Sequence, residues 1–210
     1  DHAGIDNDKL KQFITTYQST QKGRTRSNSG GYQSLFLNLQ TPELQDFFQT
    51  ILIDLNYYYK EVGGRPDTHE VSITSCWFNV NGKNTFNWPH VHDGYLSVVY
   101  YVEADEDTGL ISFKHPANRM DLDWKDEWFN GTSSTTAATW NLAPKTNRCY
   151  VFPSWLEHKV HPNKTDKTRI SIALNTKVVK IKIKKFYCLI TIIVMKFYWK
   201  KKNLFMFLLN

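Results

Sequence analysis

A chain of 210 residues is long enough for one well-buried domain and too short for two of typical size. Aromatic residues make up 15% of it, and a polar remainder rich in Asn, Thr and Ser favours strands and turns over a helical bundle. The net charge of +6 arises in residues 177–210, which hold nine lysines and no acid; residues 1–176 carry 17 basic against 20 acidic groups, which argues against a basic groove and a nucleic-acid partner.

In chain order, the first predicted helix runs from Asp8 to Ser19. Leu10, Phe13, Ile14 and Tyr17 stand at helical spacing, and Asp6 or Asn7 is placed to cap it. A polar segment with two adjacent glycines, residues 22–34, follows and reads on physical grounds as a solvated loop. The second helix has Thr41 as cap and Pro42 at its first position. Its core face is Leu44, Phe47, Phe48, Ile51, Leu52 and Leu55, and Gly63, Gly64 and Pro66 end it. Tyr57, Tyr58 and Tyr59 near its end read as packing residues.

From Glu70 the period changes to two. Val71, Ile73, Ser75, Trp77 and Asn79 fall on one face and Ser72, Thr74, Cys76, Phe78 and Val80 on the other, up to an Asn81-Gly82 turn of the hairpin kind. Further strands are expected at Tyr95 to Glu103, with Ser97, Val99 and Tyr101 on one face, and at Gly109 to Lys114. Residues 117–147 break the rhythm. So long an insertion reads either as a lid over a substrate or as a surface excursion with an extra strand near Thr139 to Leu142. Strands at Arg148 to Phe152, Leu156 to Val160 and Thr168 to Asn175 complete the set.

Beyond Thr176 the composition narrows to Lys and apolar residues, so the domain is expected to be 1–176 and residues 177–210 a tail outside it. The most apolar part of that tail, Tyr187 to Met195, is nine residues long, against about 20 for a membrane span, so no membrane partner is expected. Three cysteines without C-x-x-C spacing argue against a disulfide scaffold or a zinc knuckle. No basic-then-apolar leader opens the chain, which begins at Asp1, and a cytoplasmic setting is the expectation.

The informative signal is Trp88-Pro89-His90-Val91-His92-Asp93-Gly94, taken together with His158. Residues i and i+2 of a strand share a face, so His90 and His92 can hold one ion. Eleven residues after His158 stands Arg169, followed by Ser171 on the same face.

This pattern resembles the Fe(II)- and 2-oxoglutarate-dependent oxygenases, whose double-stranded β-helix carries a His-x-acid pair, a late His and an Arg that grips the far carboxylate of 2-oxoglutarate. One departure stands out: His92 occupies the position where that superfamily usually has Asp or Glu. The segment Ser27 to Ser34 also resembles an N-terminal segment of one group of these oxygenases, common in marine phages and bacteria, and is expected to border the site. The resemblance spans Ser27 to Asn175. It implies a mainly β jelly roll with N-terminal flanking helices, and Fe(II), 2-oxoglutarate and dioxygen as cofactor and cosubstrates. His90, His92 and His158 would be the metal ligands. Arg169, Ser171 and Tyr101 would hold 2-oxoglutarate, with Asn79 as a polar contact to cosubstrate or substrate; His2, His69, His115 and His161 are read as non-ligands. The implied reaction is hydroxylation of an unidentified substrate with release of succinate and CO2. Two other classes compete: a cupin-type metal enzyme that does not use 2-oxoglutarate, and a non-enzymatic jelly-roll binding or structural module. A cupin normally adds a Glu four or five residues after the second His, where this chain has Leu96 and Ser97.

Overall fold

The computed structural model describes residue 2, residues 4–116 and residues 138–181. Of the insertion at 117–147, residues 117–137 lie outside the described residues, as do Cys188 and the tail from residue 182. Helix α1 (Asn7–Thr20) is capped by Asp6, whose carboxylate accepts a hydrogen bond from the Lys9 N–H at 3.0 Å. It buries Leu10 and Ile14. The second helix starts differently from expectation. Thr41 makes no side-chain cap, and Pro42–Leu44 forms a single 3-10 turn before α2 (Gln45–Glu61). The Gln45 side-chain amide instead donates to the carbonyls of Leu39 and Thr41, each at 2.9 Å. Leu44, Phe47, Phe48, Ile51 and Leu55 are buried as predicted. Tyr59 packs against the core, whereas Tyr57 and Tyr58 are exposed.

Ten strands follow in two antiparallel sheets: β1 (Asn28–Ser29), β2 (Tyr32–Gln33), β3 (His69–Asn81), β4 (Phe86–His90), β5 (Leu96–Glu103), β6 (Ile111–Lys114), β7 (Thr139–Leu142), β8 (Cys149–Pro153), β9 (His158–Val160) and β10 (Arg169–Lys180). One sheet has the order β1-β4-β9-β6-β7 and the other β2-β3-β10-β5-β8. This is the jelly roll expected, with β7 at the extra strand foreseen inside the insertion. Strand β10 runs four residues past Thr176 and pairs Lys180 with His69.

The main core lies between the two helices and the outer face of the second sheet. Leu10, Ile14, Phe47 and Ile51 meet Cys76, Phe78, Val98, Tyr100, Ile172 and Leu174, each large apolar side chain contributing about 1.5 to 3 kcal/mol by leaving water. Phe78 is central: it is fully buried, its ring 5.4 Å from Tyr17 and 5.7 Å from Tyr32, and Phe78→Ala would cost about 3 to 5 kcal/mol.

Two further features differ from the sequence expectation. The first is a bulge in β3. Asn175 pairs with Ser75 and Thr176 with Ile73, so Thr74 is an extra residue on that strand. An inserted residue shifts the alternation by one. Val71 and Ile73 therefore join Cys76, Phe78 and Val80 in the helix-packed core, while Trp77, Asn79 and Asn81 line the cavity between the sheets. The second is the Asn81-Gly82 turn, which does not close a hairpin. Strands β3 and β4 belong to different sheets, and the turn, with Asn84 at φ +63°, carries the chain from one to the other.

Gly30 and Gly31, at φ +65° and +67°, make the same passage at the sheet edges, between β1 on one sheet and β2 on the other. A Cβ on Gly31 would lie 2.9 Å from the Asn81 side-chain nitrogen and 3.0 Å from the Val80 carbonyl, so both the conformation and the space call for glycine.

Candidate functional site

Antiparallel pairing brings the first and third histidines together: His90, the last residue of β4, is the register partner of His158, the first of β9. His92 lies just past the end of β4 rather than within it, held by its N–H donating to the Ser154 carbonyl at 2.8 Å. The three rings converge, with centroids 4.3 Å (His90 and His158), 4.9 Å (His90 and His92) and 5.0 Å (His92 and His158) apart. One ring nitrogen from each lies within 4.8 Å of the other two, a grouping that could hold a metal ion; exposed Asp93 is not part of it.

Hydrogen bonds set the tautomers. His90 Nδ1 lies 2.6 Å from the Trp88 carbonyl and His158 Nδ1 lies 2.9 Å from the Leu156 carbonyl. A carbonyl only accepts, so each Nδ1 carries the proton and each Nε2 keeps its lone pair for an ion. Burial, reinforced by the neighbouring His90 ring, lowers His92 to about 4 and His158 to about 3, and burial also lowers His90. All three imidazoles are thus neutral at physiological pH, the form that ligates.

Arg169, Ser171, Tyr101 and Asn79 come together on the facing sheet. Ser171 of β10 is the register partner of Asn79 in β3 and of Tyr101 in β5, so these three form one row across three adjacent strands. Arg169 stands two residues along, and all four line the same cavity as the histidines. Its side chain is only 2% exposed, yet no acidic partner engages it among the described residues. Among the described residues Nη1 alone is used, donating to the carbonyls of Thr108 and, at 3.0 Å, Gly109. Burial pulls the guanidinium below its ordinary value, and nearby Tyr101 opposes that. The buried Tyr101 phenol is pushed up by desolvation against the pull of Arg169. Asn79 Oδ1 is buried without a hydrogen-bond partner. A buried cation without a counter-ion among the described residues, on the same cavity wall as an unsatisfied amide oxygen, is costly unless a ligand completes it.

The cavity has a volume of about 820 Å³, of the size that houses a small organic ligand. Its wall also includes residues of the segment 22–34, which therefore borders the site and is not merely a solvated loop. Ser27 Oγ is 3.4 Å from His90 Nε2, and Arg24, Arg26 and Gln33 line the same space. These residues were not singled out individually in the sequence; the paired glycines that turn the segment across the two sheets are the physical signal for them. At the cupin carboxylate positions, Leu96 packs in the helix-covered core and Ser97 hydrogen-bonds Asn175, so neither supplies an acid.

Three neutral imidazoles whose ring nitrogens converge on one side of an open cavity match a non-haem iron centre, which takes three protein ligands and keeps its remaining positions open. An unpaired buried guanidinium matches one end of a dicarboxylate.

Comparison with known proteins gives a consistent result. Residues 75–175 match the family described as "Putative 2OG-Fe(II) oxygenase". No curated protein matches the chain. Similar solved structures include an oxidoreductase of the 2OG-Fe(II) oxygenase family from Burkholderia pseudomallei, at TM-score 0.55 and 16% identity over 82% of this chain and 80% of that one. A Trichoplax adhaerens prolyl hydroxylase, solved in complex with a hypoxia-inducible-factor peptide fragment, gives TM-score 0.53 and 16% identity over 81% and 77%. A Pseudomonas putida prolyl-4-hydroxylase gives TM-score 0.52 and 12% identity over 81% and 86%. At these identities the likeness is one of fold.

Proposed function

We propose that this chain, whose residues 75–175 match the family described as "Putative 2OG-Fe(II) oxygenase", is an Fe(II)- and 2-oxoglutarate-dependent dioxygenase that hydroxylates its substrate. His90, His92 and His158 hold the iron through one nitrogen each. Arg169 grips the distal carboxylate of 2-oxoglutarate in a bidentate pair, with the Ser171 hydroxyl and Tyr101 phenol beside it and Asn79 facing the same space. The observation that carries this reading is Arg169: a guanidinium 2% exposed, on the cavity wall, without an acidic partner among the described residues.

When bound, iron and 2-oxoglutarate supply the oxidising chemistry, in which dioxygen is consumed, 2-oxoglutarate becomes succinate and CO2, and one oxygen atom enters a substrate C–H bond. The protein's own contribution is placement. The Trp88 and Leu156 carbonyls fix two imidazole tautomers. Trp77, whose ring is 5.4 Å from His92, and Phe152, 4.7 Å from His158, pack aromatic surface against the cluster. Arg169 sets the direction from which the cosubstrate approaches.

Full-length protein titrated with 2-oxoglutarate under anaerobic conditions in the presence of Fe(II) is expected to bind one equivalent and, on admission of air with substrate, to release one succinate per 2-oxoglutarate consumed. Absence of saturable 2-oxoglutarate binding would overturn this function and favour a cupin-type enzyme or a non-enzymatic module.

A further inference from the structure

The cavity has a second cationic wall, for which the cosubstrate has no use. Arg24 and Arg26 line the cavity. Neither guanidinium takes part in an ion pair or hydrogen bond among the described residues, and Arg24 Nε is buried without a partner. The surrounding body is mildly acidic, residues 1–176 carrying 17 basic against 20 acidic groups, so this is a local concentration of positive charge and no reflection of an overall excess. Burial and the charge of Arg26 both depress the Arg24 pKa, as expected of like charges held together without a counter-ion. Gln33, 5% exposed, lines the same wall with its side-chain oxygen unsatisfied, and rotation of that amide would present a donor instead.

A run of rings connects this wall to the histidines. The Arg24 guanidinium lies 4.0 Å over the Phe36 ring, Phe36 is 5.9 Å from Trp77, and Trp77 is 5.4 Å from His92. Along the backbone the separation is equally short: Ser27, three residues after Arg24, has its hydroxyl 3.4 Å from His90 Nε2, and three residues span at most about 11 Å. Phe36 is 58% exposed and Trp88, also on the cavity wall, 58%, so an apolar surface stays open between the arginines and the candidate metal centre. A cation-π contact holds the Arg24 side chain in place but neutralises neither charge.

We propose that Arg24 and Arg26 form a subsite for an anionic group of the primary substrate, a carboxylate or a phosphate, while Phe36 and Trp77 take the apolar or flat part that joins it to the carbon being oxidised. The role as a substrate subsite rests on the oxygenase reading; the anion subsite itself does not.

The test uses the full chain with Zn(II) as a redox-silent metal, titrated calorimetrically with phenyl phosphate, benzoate and the neutral benzyl alcohol, each with and without saturating 2-oxoglutarate. At least one anion is expected to bind tenfold or more tighter than benzyl alcohol, whether or not 2-oxoglutarate is present, and the tighter of the two anions identifies the group. The Arg24→Gln/Arg26→Gln double variant should lose that preference tenfold or more, and Arg24→Lys/Arg26→Lys should recover part of it, with 2-oxoglutarate affinity within threefold of wild type in both as proof of folding. Equal binding of anion and alcohol, an unchanged double variant, or one-for-one displacement of the anion by 2-oxoglutarate would each overturn the subsite. Failure of 2-oxoglutarate to bind wild type would strike the oxygenase reading and leave the arginine comparison intact.

Discussion

Arg169→Met removes the guanidinium while keeping a side chain of similar length and apolar character. In the native protein Arg169 is 2% exposed and anchored by Nη1 to two backbone carbonyls, leaving its other donors for a ligand. A carboxylate bound there would form a desolvated, charge-assisted pair, and losing one partner of such a pair costs about 3 to 5 kcal/mol. At 1.4 kcal/mol per tenfold this is a loss of roughly 10²- to 10³-fold or more in 2-oxoglutarate affinity. Isothermal titration of 2-oxoglutarate into Mn(II)-loaded wild type and variant measures it directly, and a parallel Mn(II) titration should show metal affinity unchanged. Gly109→Ala is an independent perturbation of the same group. Gly109 has φ +101°, and an added Cβ would fall 2.6 Å from Arg169 Nη1 and 2.4 Å from the His161 carbonyl, so 2-oxoglutarate binding should weaken with the arginine still present. A 2-oxoglutarate dissociation constant within threefold of wild type in Arg169→Met would refute the reasoning.

Three further outcomes are expected. His92→Ala should lose most Fe(II) binding, whereas Asp93→Ala should keep it with at most a loss of roughly 10- to 100-fold; the reverse pattern in a metal titration would make Asp93 the ligand. The pH dependence of the metal-free protein follows from His92 and His158, lowered from 6.5 to about 4 and about 3. Because the unfolded chain takes up these protons first, stability is full above about pH 7 and declines as pH falls from 6.5 toward 4; urea midpoints at pH 7.5, 6 and 5 should fall in that order, and His158→Phe should flatten the trend. The domain, we propose, ends at Ile181, whose N–H donates to the Thr68 carbonyl at 2.9 Å. A chain ended after Ile181 should keep the wild-type melting temperature, while one ended after Thr176 loses the pairs from Lys177 to Lys180 with β3 and should melt lower.

The parts of the fold that follow from spacing were legible in the sequence. Helical periodicity gave both helices to within a few residues, and alternation correctly put Val99 with Tyr101 on one face of β5 and Arg169 with Ser171 on one face of β10, the faces that line the cavity. What was not legible depends on partners far along the chain. The bulge at Thr74 is fixed by pairing with residues about a hundred positions away, so local alternation alone placed Val71 and Ile73 on the face of Trp77 and Asn79. Asn81-Gly82 is good hairpin chemistry, but the sheet to which the next strand belongs is decided by β1 and β9. The histidine grouping was reachable because His-x-His is local and the late His precedes Arg-x-Ser at fixed spacing. Arg24 and Arg26 were hidden in a segment without periodicity, brought to the cavity by a backbone turn instead of by a side-chain pattern.

The Gly30-Gly31 turn is the short tie between the two sheets where β1 and β2 form their edges. With so few atoms in the tie, the gap between the sheets at that rim is governed by backbone torsion, and a single side chain there works as a wedge. Gly31→Ala, strained by a φ of +67°, would press on the Asn81 side chain and the Val80 carbonyl of β3, and Asn81 is itself part of the cavity wall. The shape of the cavity wall is thus set in part by a residue that does not line it.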